Sequence, residues 1–273
     1  MNKVYQVYQV SDSTGETLDR IFTAIKAQFS NFDCKTIHFS FTRTKNQIDK
    51  IISKSKEEKN IIILYTIVDK ALSQYLSVEC KKNNISNFEA LGNLISNFST
   101  LLKQEANRKP SGQHVLDEDY YKRIEAVQFT MSHDDGKIIT DLEKSDIILV
   151  GVSRTSKTPT SIYLANRGYK TSNIPIIPNK NLPEQIIINL NKICIIGLFC
   201  DPVRLFDVRK NRIQLMNEDR PGEYTNQEKI EGELENSKKI FKKYNWPTID
   251  VTRKSVEETA ASIIKIFDIL NSK

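Results

Sequence analysis

The sequence feature that most constrains the fold is a predicted strand, turn and helix in the second half of the chain. The apolar run Ile147 to Val150 predicts a buried strand, which ends at Gly151. A polar turn follows and finishes with Lys157 and Thr158. The apolar spacing of Ser161 to Ala165 then predicts a helix. A strand, a glycine-led turn, Lys-Thr and a helix form the context in which a phosphate-binding loop is credible.

The chemistry of such a loop follows from its backbone. Amide groups at a helix start lack intrahelical partners and carry positive partial charge, so they attract an anion. Lys157 adds a full charge at the β- and γ-phosphate side, and the Thr158 hydroxyl can ligate Mg²⁺. The predicted nucleotide-binding residues are Gly151, Val152, Ser153, Arg154, Thr155, Ser156, Lys157 and Thr158.

Two residues depart from the usual loop pattern. Ser156 occupies the place of a second glycine, so its backbone needs a conformation that glycine adopts freely. Arg154 is an additional cation and suggests a second phosphate contact. The alternative is an ordinary surface turn capped by Thr158, with Pro159 tolerated in the first turn of the helix.

Alternating strand and helix patterns predict a mostly parallel α/β fold. In the first part of the chain the predicted elements are strands at 4–10, 36–41 and 61–67 and helices from Leu18, at 45–56 and at 70–82. We place an N-terminal, mostly parallel α/β domain at 1–105 and a nucleotide-binding α/β domain of the phosphate-loop type at 106–273.

The domain boundary is set by a change of character in the middle of the chain. Residues 88–104 predict a helix with one apolar side, and residues 106–112 resemble a linker. A helix at 117–126 should turn Tyr120, Tyr121 and Ile124 inward. Further on, the sequence predicts a strand at 193–199, a helix bearing Arg204, Arg209 and Arg212, and two C-terminal helices at 228–244 and 255–270 joined by residues 246–252.

Acidic residues near predicted turns are candidates for metal binding or proton transfer. Asp134 and Asp135 lie in a glycine-ended turn, where they could bind Mg²⁺ or accept a hydroxyl proton, or simply form a hairpin turn. Asp201 directly follows a predicted strand, and it is either a magnesium ligand or a helix cap. We assign metal binding to Thr158 and Asp201 as a hypothesis.

A polar loop near the N-terminus and three arginines of a later predicted helix could contact anions. Ligands of parallel sheets bind beyond the carboxyl ends of the strands, and the segment Ser11 to Thr17 has that position after the first strand. Its hydroxyls could hold a second anion, or they could cap the following helix. Arg204, Arg209 and Arg212 can bind phosphate, although solvent exposure is the default expectation for each.

Composition limits the classes of function. The net charge of +6, from 40 Lys and Arg against 34 Asp and Glu, suits anionic ligands but is too small to indicate nucleic acid. No apolar segment approaches the ~20 residues of a membrane helix, and no signal-peptide pattern is present. The four cysteines show no paired spacing, which predicts buried free thiols in a reducing cytoplasm.

Six short motifs follow one another from the first predicted strand to the last predicted helix. They are Val10 to Thr17, Arg123 to Ala126, His133 to Gly136, Gly151 to Ser161, Tyr163 to Ala165 and Ile249 to Thr252. Together they resemble the pyruvate, phosphate dikinase regulatory proteins. They lie in the family's order, and the serine before Lys157 is the family's own form of the loop.

The resemblance implies a bifunctional enzyme. Members phosphorylate a threonine of the dikinase with ADP as donor, and they remove that phosphate with inorganic phosphate, releasing pyrophosphate. A sister branch acts on phosphoenolpyruvate synthase, and these motifs do not separate the two branches. Our hypothesis for this chemistry is a catalytic set of Lys157, Asp134, Asp135 and Arg154, in which Lys157 contacts the transferring group. Asp134 or Asp135 would take the threonine proton, while Arg154 and the Ser11 to Thr17 segment would hold phosphate or phosphothreonine.

Three other classes of protein remain as alternatives. A small-molecule kinase with a phosphate loop would use ATP and usually keeps the second glycine. A nucleotide sensor would bind ADP without transferring phosphate to any protein. A nucleic-acid-binding module fits least well, because no binding signature accompanies the basic charge. Homo-oligomerisation is left open by the sequence.

Overall fold

The structure is a computed structural model that describes residues 3–112, 117–137, 140–178, 180–188, 193–215 and 223–272. The chain divides into two compact units, residues 1–115 and 116–273. Each unit is built around a four-stranded sheet in which all neighbouring strands are parallel. The predicted α/β class is therefore confirmed.

The first unit alternates strands and helices from its first strand onward. Its strands are β1 (Tyr5–Ser11), β2 (Cys34–Phe39), β3 (Ile61–Thr66) and β4 (Ser86–Glu89), in the spatial order β2-β1-β3-β4. Its helices are α1 (Glu16–Lys26), α2 (Lys45–Lys56), α3 (Lys70–Lys82) and α4 (Gly92–Leu102). Alternate residues of β1 enter two separate apolar clusters, Tyr8 and Val10 in one and Val7 in the other. The sheet is thus covered by helices on both faces.

The second unit repeats that strand order. Its strands are β5 (Ile147–Gly151), β6 (Thr171–Pro175), β7 (Cys194–Phe199) and β8 (Thr248–Asp250), in the order β6-β5-β7-β8. Its helices are α5 (Glu118–Ser132), α6 (Lys157–Ala165), α7 (Glu184–Ile188), α8 (Pro202–Leu215), α9 (Gln227–Lys243) and α10 (Val256–Asn271). Every residue of β5 is buried, which explains its uninterrupted apolar sequence.

In the first unit β1 lies between β2 and β3, and in the second unit β5 lies between β6 and β7. The chain therefore builds the sheet outward in one direction and then in the other, and the strand order reverses at β1 and at β5. Ligands of open parallel sheets bind beyond the carboxyl ends of the strands at such a reversal. The segments that follow β1 and β5 both occupy this place. We call the segment after β1, Ser11 to Thr17, the 11–17 loop. We call the segment after β5, Gly151 to Thr158, the 151–158 loop.

The helices that follow these two loops start differently from their neighbours. Five helices begin at a residue with extended backbone whose side chain accepts a hydrogen bond from a backbone amide of the first turn. These residues are Thr44, Asp69, Asp117, Asn226 and Ser255. By contrast, α1 begins at Gly15 and α6 at Ser156, both left-handed and both without a side-chain cap among the described residues. First-turn amides of α1 and α6 are therefore not satisfied by a capping side chain.

Some sequence predictions of local structure were wrong. Phe88 lies in β4 rather than in the following helix, because the chain turns between Glu89 and Gly92. In α5 the side chains of Tyr121 and Ile124 are exposed, and Ala126 and Thr130 are buried instead. β6, β8 and α7 were not predicted. These elements are short, and β6 is largely polar in sequence, so hydrophobic periodicity carries little signal for them.

The four cysteines are free thiols, with Cys80, Cys194 and Cys200 buried and Cys34 partly buried. Burial raises the pKa of Cys80, Cys194 and Cys200 to about 11, so these thiols are protonated and unreactive at neutral pH. Among the described residues, no helix combines the length and apolarity needed to cross a bilayer.

Candidate functional site

The 151–158 loop begins with a glycine that no other residue can replace without displacement. A Cβ atom on Gly151 would lie 2.5 Å from the carbonyl oxygen of Leu198 and 2.8 Å from Oγ1 of Thr155. The backbone of β5 therefore approaches β7 closely at this point. This contact fixes where the loop leaves the sheet.

Two residues of the loop have positive φ angles without being glycine. Arg154 has φ 72° and Ser156 has φ 59°, so Ser156 adopts the left-handed backbone that glycine would supply in the usual loop. Such conformations cost on the order of 1 kcal/mol or more each, and they persist where neighbouring contacts hold them. Within the loop, the carbonyl of Val152 accepts hydrogen bonds from Thr155 Oγ1 at 2.9 Å and from Lys157 Nζ at 3.0 Å.

Lys157 is an unusually buried lysine, with 4% of its surface exposed. Burial lowers its pKa to about 8, and the carboxylates of Asp135 and Asp134 oppose that change by attraction. Arg154 and Arg209 lower the pKa further by repulsion. The Lys157 side chain is therefore mostly protonated at neutral pH, and it is a desolvated cation whose attraction for an anion is strong.

Asp134 joins the acidic turn to the 151–158 loop. Its Oδ1 accepts a hydrogen bond from Thr158 Oγ1 at 2.9 Å and another from the side-chain amide of Asn173. Asn173 is a buried residue of β6, with 1% of its surface exposed. A carboxylate and a threonine hydroxyl are thus adjacent at the start of α6, and both are oxygen ligands of the kind that Mg²⁺ prefers.

Asp135 is held in a different way and faces open space. Its φ angle is 53°, and its backbone amide donates to Oδ1 of Asn173 at 3.0 Å. Asp135 lines a cavity of about 500 Å³ together with residues of the loop and three neighbours, namely Ser153, Arg154, Ser156, Lys157, Thr158, Pro159, Pro175 and Val208. A carboxylate, two cations and the start of α6 therefore border the same cavity.

Asp201 belongs to another part of the second unit. Its Oδ1 accepts the backbone amides of Val203 and Arg204 at 2.9 and 3.2 Å, so it caps α8. It lines a separate cavity of about 810 Å³, which also includes Asp250 and Thr252. The described residues contain no cluster of three or more His, Cys, Asp or Glu side chains able to hold a metal. The assignment of Mg²⁺ to Asp201 remains a prediction.

The 11–17 loop is a network of hydroxyls and one buried carboxylate. Ser11 Oγ accepts from the Ser13 amide and from Thr66 Oγ1, and Asp12 Oδ2 accepts from the Val68 amide at 2.7 Å. Burial raises the pKa of Asp12, although that hydrogen bond opposes the change. Ser13 Oγ lies 2.9 Å from Ser111 Oγ, and the loop borders a cavity of about 170 Å³.

Two residues organise the site in a way that the sequence did not predict. Asn173, which connects both aspartates, lies in the strand that periodicity did not detect. Arg209 is buried, with 1% of its surface exposed, and this contradicts the default expectation of solvent exposure. Its charge is paired with Glu233, whose Oε2 lies 2.6 Å from Nη2. That ion pair joins α8 to α9. Because its two residues are distant in sequence, no local sequence pattern predicts it.

Comparison with known proteins gives the chain's relationships. The model of the kinase/pyrophosphorylase family matches residues 7–264. A protein of Pelagibacter ubique (strain HTCC1062), provisionally named a pyruvate, phosphate dikinase regulatory protein, is 58% identical over 269 residues, covering 98% of each chain. A protein of the same name from Bartonella tribocorum (strain CIP 105476 / IBS 506) is 42% identical over 264 residues, covering 97% of this chain and 95% of the relative.

Proposed function

We propose that this chain, which belongs to the kinase/pyrophosphorylase family, regulates pyruvate, phosphate dikinase by reversible phosphorylation of a threonine. In the kinase direction the threonine oxygen forms a bond to the β-phosphorus of ADP, the bond to the α-phosphate oxygen breaks, and AMP leaves. In the dephosphorylation reaction an oxygen of inorganic phosphate forms a bond to the phosphothreonine phosphorus, and the bond between that phosphorus and the threonine oxygen breaks. The new product is pyrophosphate, and the threonine oxygen leaves and takes up a proton to become a hydroxyl again.

The observation that carries the proposal is the shared cavity at the start of α6. Lys157, Arg154 and the uncapped first turn of α6 supply positive charge there, while Asp135 supplies a carboxylate that lines the same cavity. Phosphoryl transfer needs mainly positioning and charge stabilisation. A cavity with this composition provides both.

Each residue has a proposed role in the transfer. The amides of the 151–158 loop and Lys157 bind the diphosphate of ADP, and Arg154 contacts the phosphoryl group that moves. Thr158 would hold a Mg²⁺ ion, and Asp134, 2.9 Å away, is the nearest carboxylate to complete its protein ligands. The ion would neutralise charge on the phosphate oxygens.

Asp135 is the better placed of the two aspartates to act as the base. Asp134 Oδ1 is already occupied by Thr158 and Asn173, whereas the carboxylate of Asp135 borders the cavity. A carboxylate there can accept the threonine proton as the oxygen attacks. For the 11–17 loop we propose that it contacts phosphothreonine or inorganic phosphate, because the start of α1 has no side-chain cap and hydroxyls surround it.

The proposal is tested with purified protein, pyruvate, phosphate dikinase and ADP labelled at the β-phosphate. The label should pass to a dikinase threonine, and inorganic phosphate added afterwards should release it as pyrophosphate. ATP labelled at the γ-phosphate and phosphoenolpyruvate synthase serve as parallel arms. Label on the synthase alone would assign the sister activity. Transfer from ATP to a small molecule, with no protein labelled, would overturn the proposal.

A further inference from the structure

We infer that Tyr224 is a positioning residue that holds Arg154 over the 151–158 loop, and that the ion pair between the buried Arg209 and the partly buried Glu233 fixes Tyr224 in place. This inference rests on the proposed phosphate-binding role of the loop. Tyr224 lies in a 3-10 turn at Glu223–Thr225, far from the loop in sequence. No motif in the sequence assigns it a function.

The Arg209 side chain connects three separate segments of the second unit. Its Nη2 donates to the Ser153 carbonyl at 3.3 Å, and its Nη1 donates to the Tyr224 carbonyl at 3.2 Å. Both nitrogens also donate to the carboxylate of Glu233 on α9, at 2.6 and 3.3 Å. The planar guanidinium thus ties the loop and the Glu223–Thr225 turn to helices α8 and α9 in one fixed geometry.

Tyr224 completes this connection through its ring and its hydroxyl. The Arg209 guanidinium lies over the Tyr224 ring at 4.6 Å from its centroid, which orients the ring by a cation–π contact. The hydroxyl then lies 3.3 Å from Ser153 Oγ and accepts from Arg154 Nε, also at 3.3 Å. One hydroxyl therefore meets two consecutive side chains of the loop.

The loop needs support from outside itself. Arg154 and Ser156 both have left-handed backbones, and the internal hydrogen bonds of the loop converge on one carbonyl, that of Val152. Arg209 and Tyr224 contact the next two residues of the turn, Ser153 and Arg154, from outside the loop. A flexible arginine would lose side-chain entropy on binding phosphate, and a contact that orders it beforehand reduces that cost.

The position of Arg209 excludes a direct role in ligand binding. With 1% of its surface exposed, and with both terminal nitrogens bonded to protein oxygens, it is not available to a phosphate. It acts through Ser153 and Tyr224. Removing Arg209 would risk unfolding the unit, so the informative change is the single hydroxyl of Tyr224.

The test is a double-mutant cycle on Tyr224→Phe and Arg154→Gln, read out as ADP affinity by titration calorimetry. We expect Tyr224→Phe to weaken ADP binding about fivefold, the size of the net contribution of one ordinary hydrogen bond. In the Arg154→Gln background Tyr224→Phe should have almost no effect on ADP affinity, because the Tyr224 hydroxyl affects binding by positioning Arg154. Tyr163→Phe is the matched control, since its hydroxyl accepts from Arg167 at 2.9 Å on the exposed side of α6.

Two results would overturn the inference. Tyr224→Phe could behave like Tyr163→Phe, or its effect could add fully to that of Arg154→Gln. A ligand-free measurement separates these from a failure of the proposed function. The Arg154 Nε–H should exchange slowly with water in the wild type and faster in Tyr224→Phe, as observed by ¹⁵N NMR. If the wild type bound no ADP, the proposed function would fail, and the exchange rates alone would decide the role of Tyr224.

Discussion

The hydroxyl of Thr158 donates a hydrogen bond to Asp134 across 2.9 Å, although the two residues are 24 positions apart in the chain. The contact brings the acidic turn to the start of α6, so two motifs that the sequence offered separately form one site. Asn173 completes the arrangement, because its amide nitrogen donates to Asp134 and its oxygen accepts the amide of Asp135. Substitutions in the 151–158 loop, in the acidic turn and at Asn173 can therefore test one shared site.

Lys157 should make ADP binding depend on pH in a defined direction. Its pKa of about 8 in the free protein means that it is charged below this value and loses its charge above it. An anion favours the charged form and raises the pKa in the complex. Affinity should therefore be level below about pH 7 and fall by up to about tenfold per pH unit above pH 8, as measured by calorimetry.

Lys157→Arg is the control for that profile. Arginine stays charged to beyond about pH 12, so this variant should bind ADP with little dependence on pH between 7 and 9.5, whatever its absolute affinity. Lys157→Met should bind very weakly at every pH. An identical slope in the wild type and in Lys157→Arg would show that another group causes the dependence.

Changing each aspartate to asparagine should distinguish the roles of Asp135 and Asp134. Asp135→Asn should leave ADP affinity at pH 7 nearly unchanged and slow phosphoryl transfer by about 10²- to 10⁴-fold, the range for loss of a general base. Asp134→Asn should instead raise the Mg²⁺ concentration needed for half-maximal transfer. Transfer at the normal rate by Asp135→Asn would return that residue to a purely structural role in the turn.

Asn173→Asp tests whether the amide organises both aspartates. The variant has the same shape, but it loses the donor to Asp134 and adds a negative charge beside it. We expect a free energy of unfolding lower by about 1–3 kcal/mol and a weaker response of transfer to Mg²⁺. The exposed Asn236→Asp, in the middle of α9 on the same unit, is the matched control and should change neither quantity. Equal thermal denaturation of the two variants would refute the role of Asn173.

Gly151→Ala tests the close approach of β5 to β7. The added Cβ would lie 2.5 Å from the Leu198 carbonyl, a backbone atom that cannot move aside on its own. We expect a loss of about 1–3 kcal/mol in the free energy of unfolding, the usual range for overpacking, together with weaker ADP binding. Gly232→Ala is the control, because nothing lies within 4 Å of its added Cβ and it is inside α9. That variant should be slightly stabilised.

Sequence reasoning succeeded where the structure is determined locally. The predicted helices 45–56 and 70–82 agree with α2 and α3, whose first turns are capped by Thr44 and Asp69. The loop after β5 was recognisable because strand, turn and helix are consecutive. The structural roles of Asn173 and Arg209 could not be predicted, since these roles come from partners on other elements. Their burial depends on tertiary contacts that single-sequence patterns do not carry.

The most direct test of the account is a crystal structure of the protein with ADP and Mg²⁺. We predict that the β-phosphate lies within hydrogen-bonding distance of the amides of the 151–158 loop. Lys157 Nζ should leave the Val152 carbonyl, which it contacts at 3.0 Å in the free protein, and contact the diphosphate instead. A diphosphate bound elsewhere, with Lys157 still on Val152, would contradict the account.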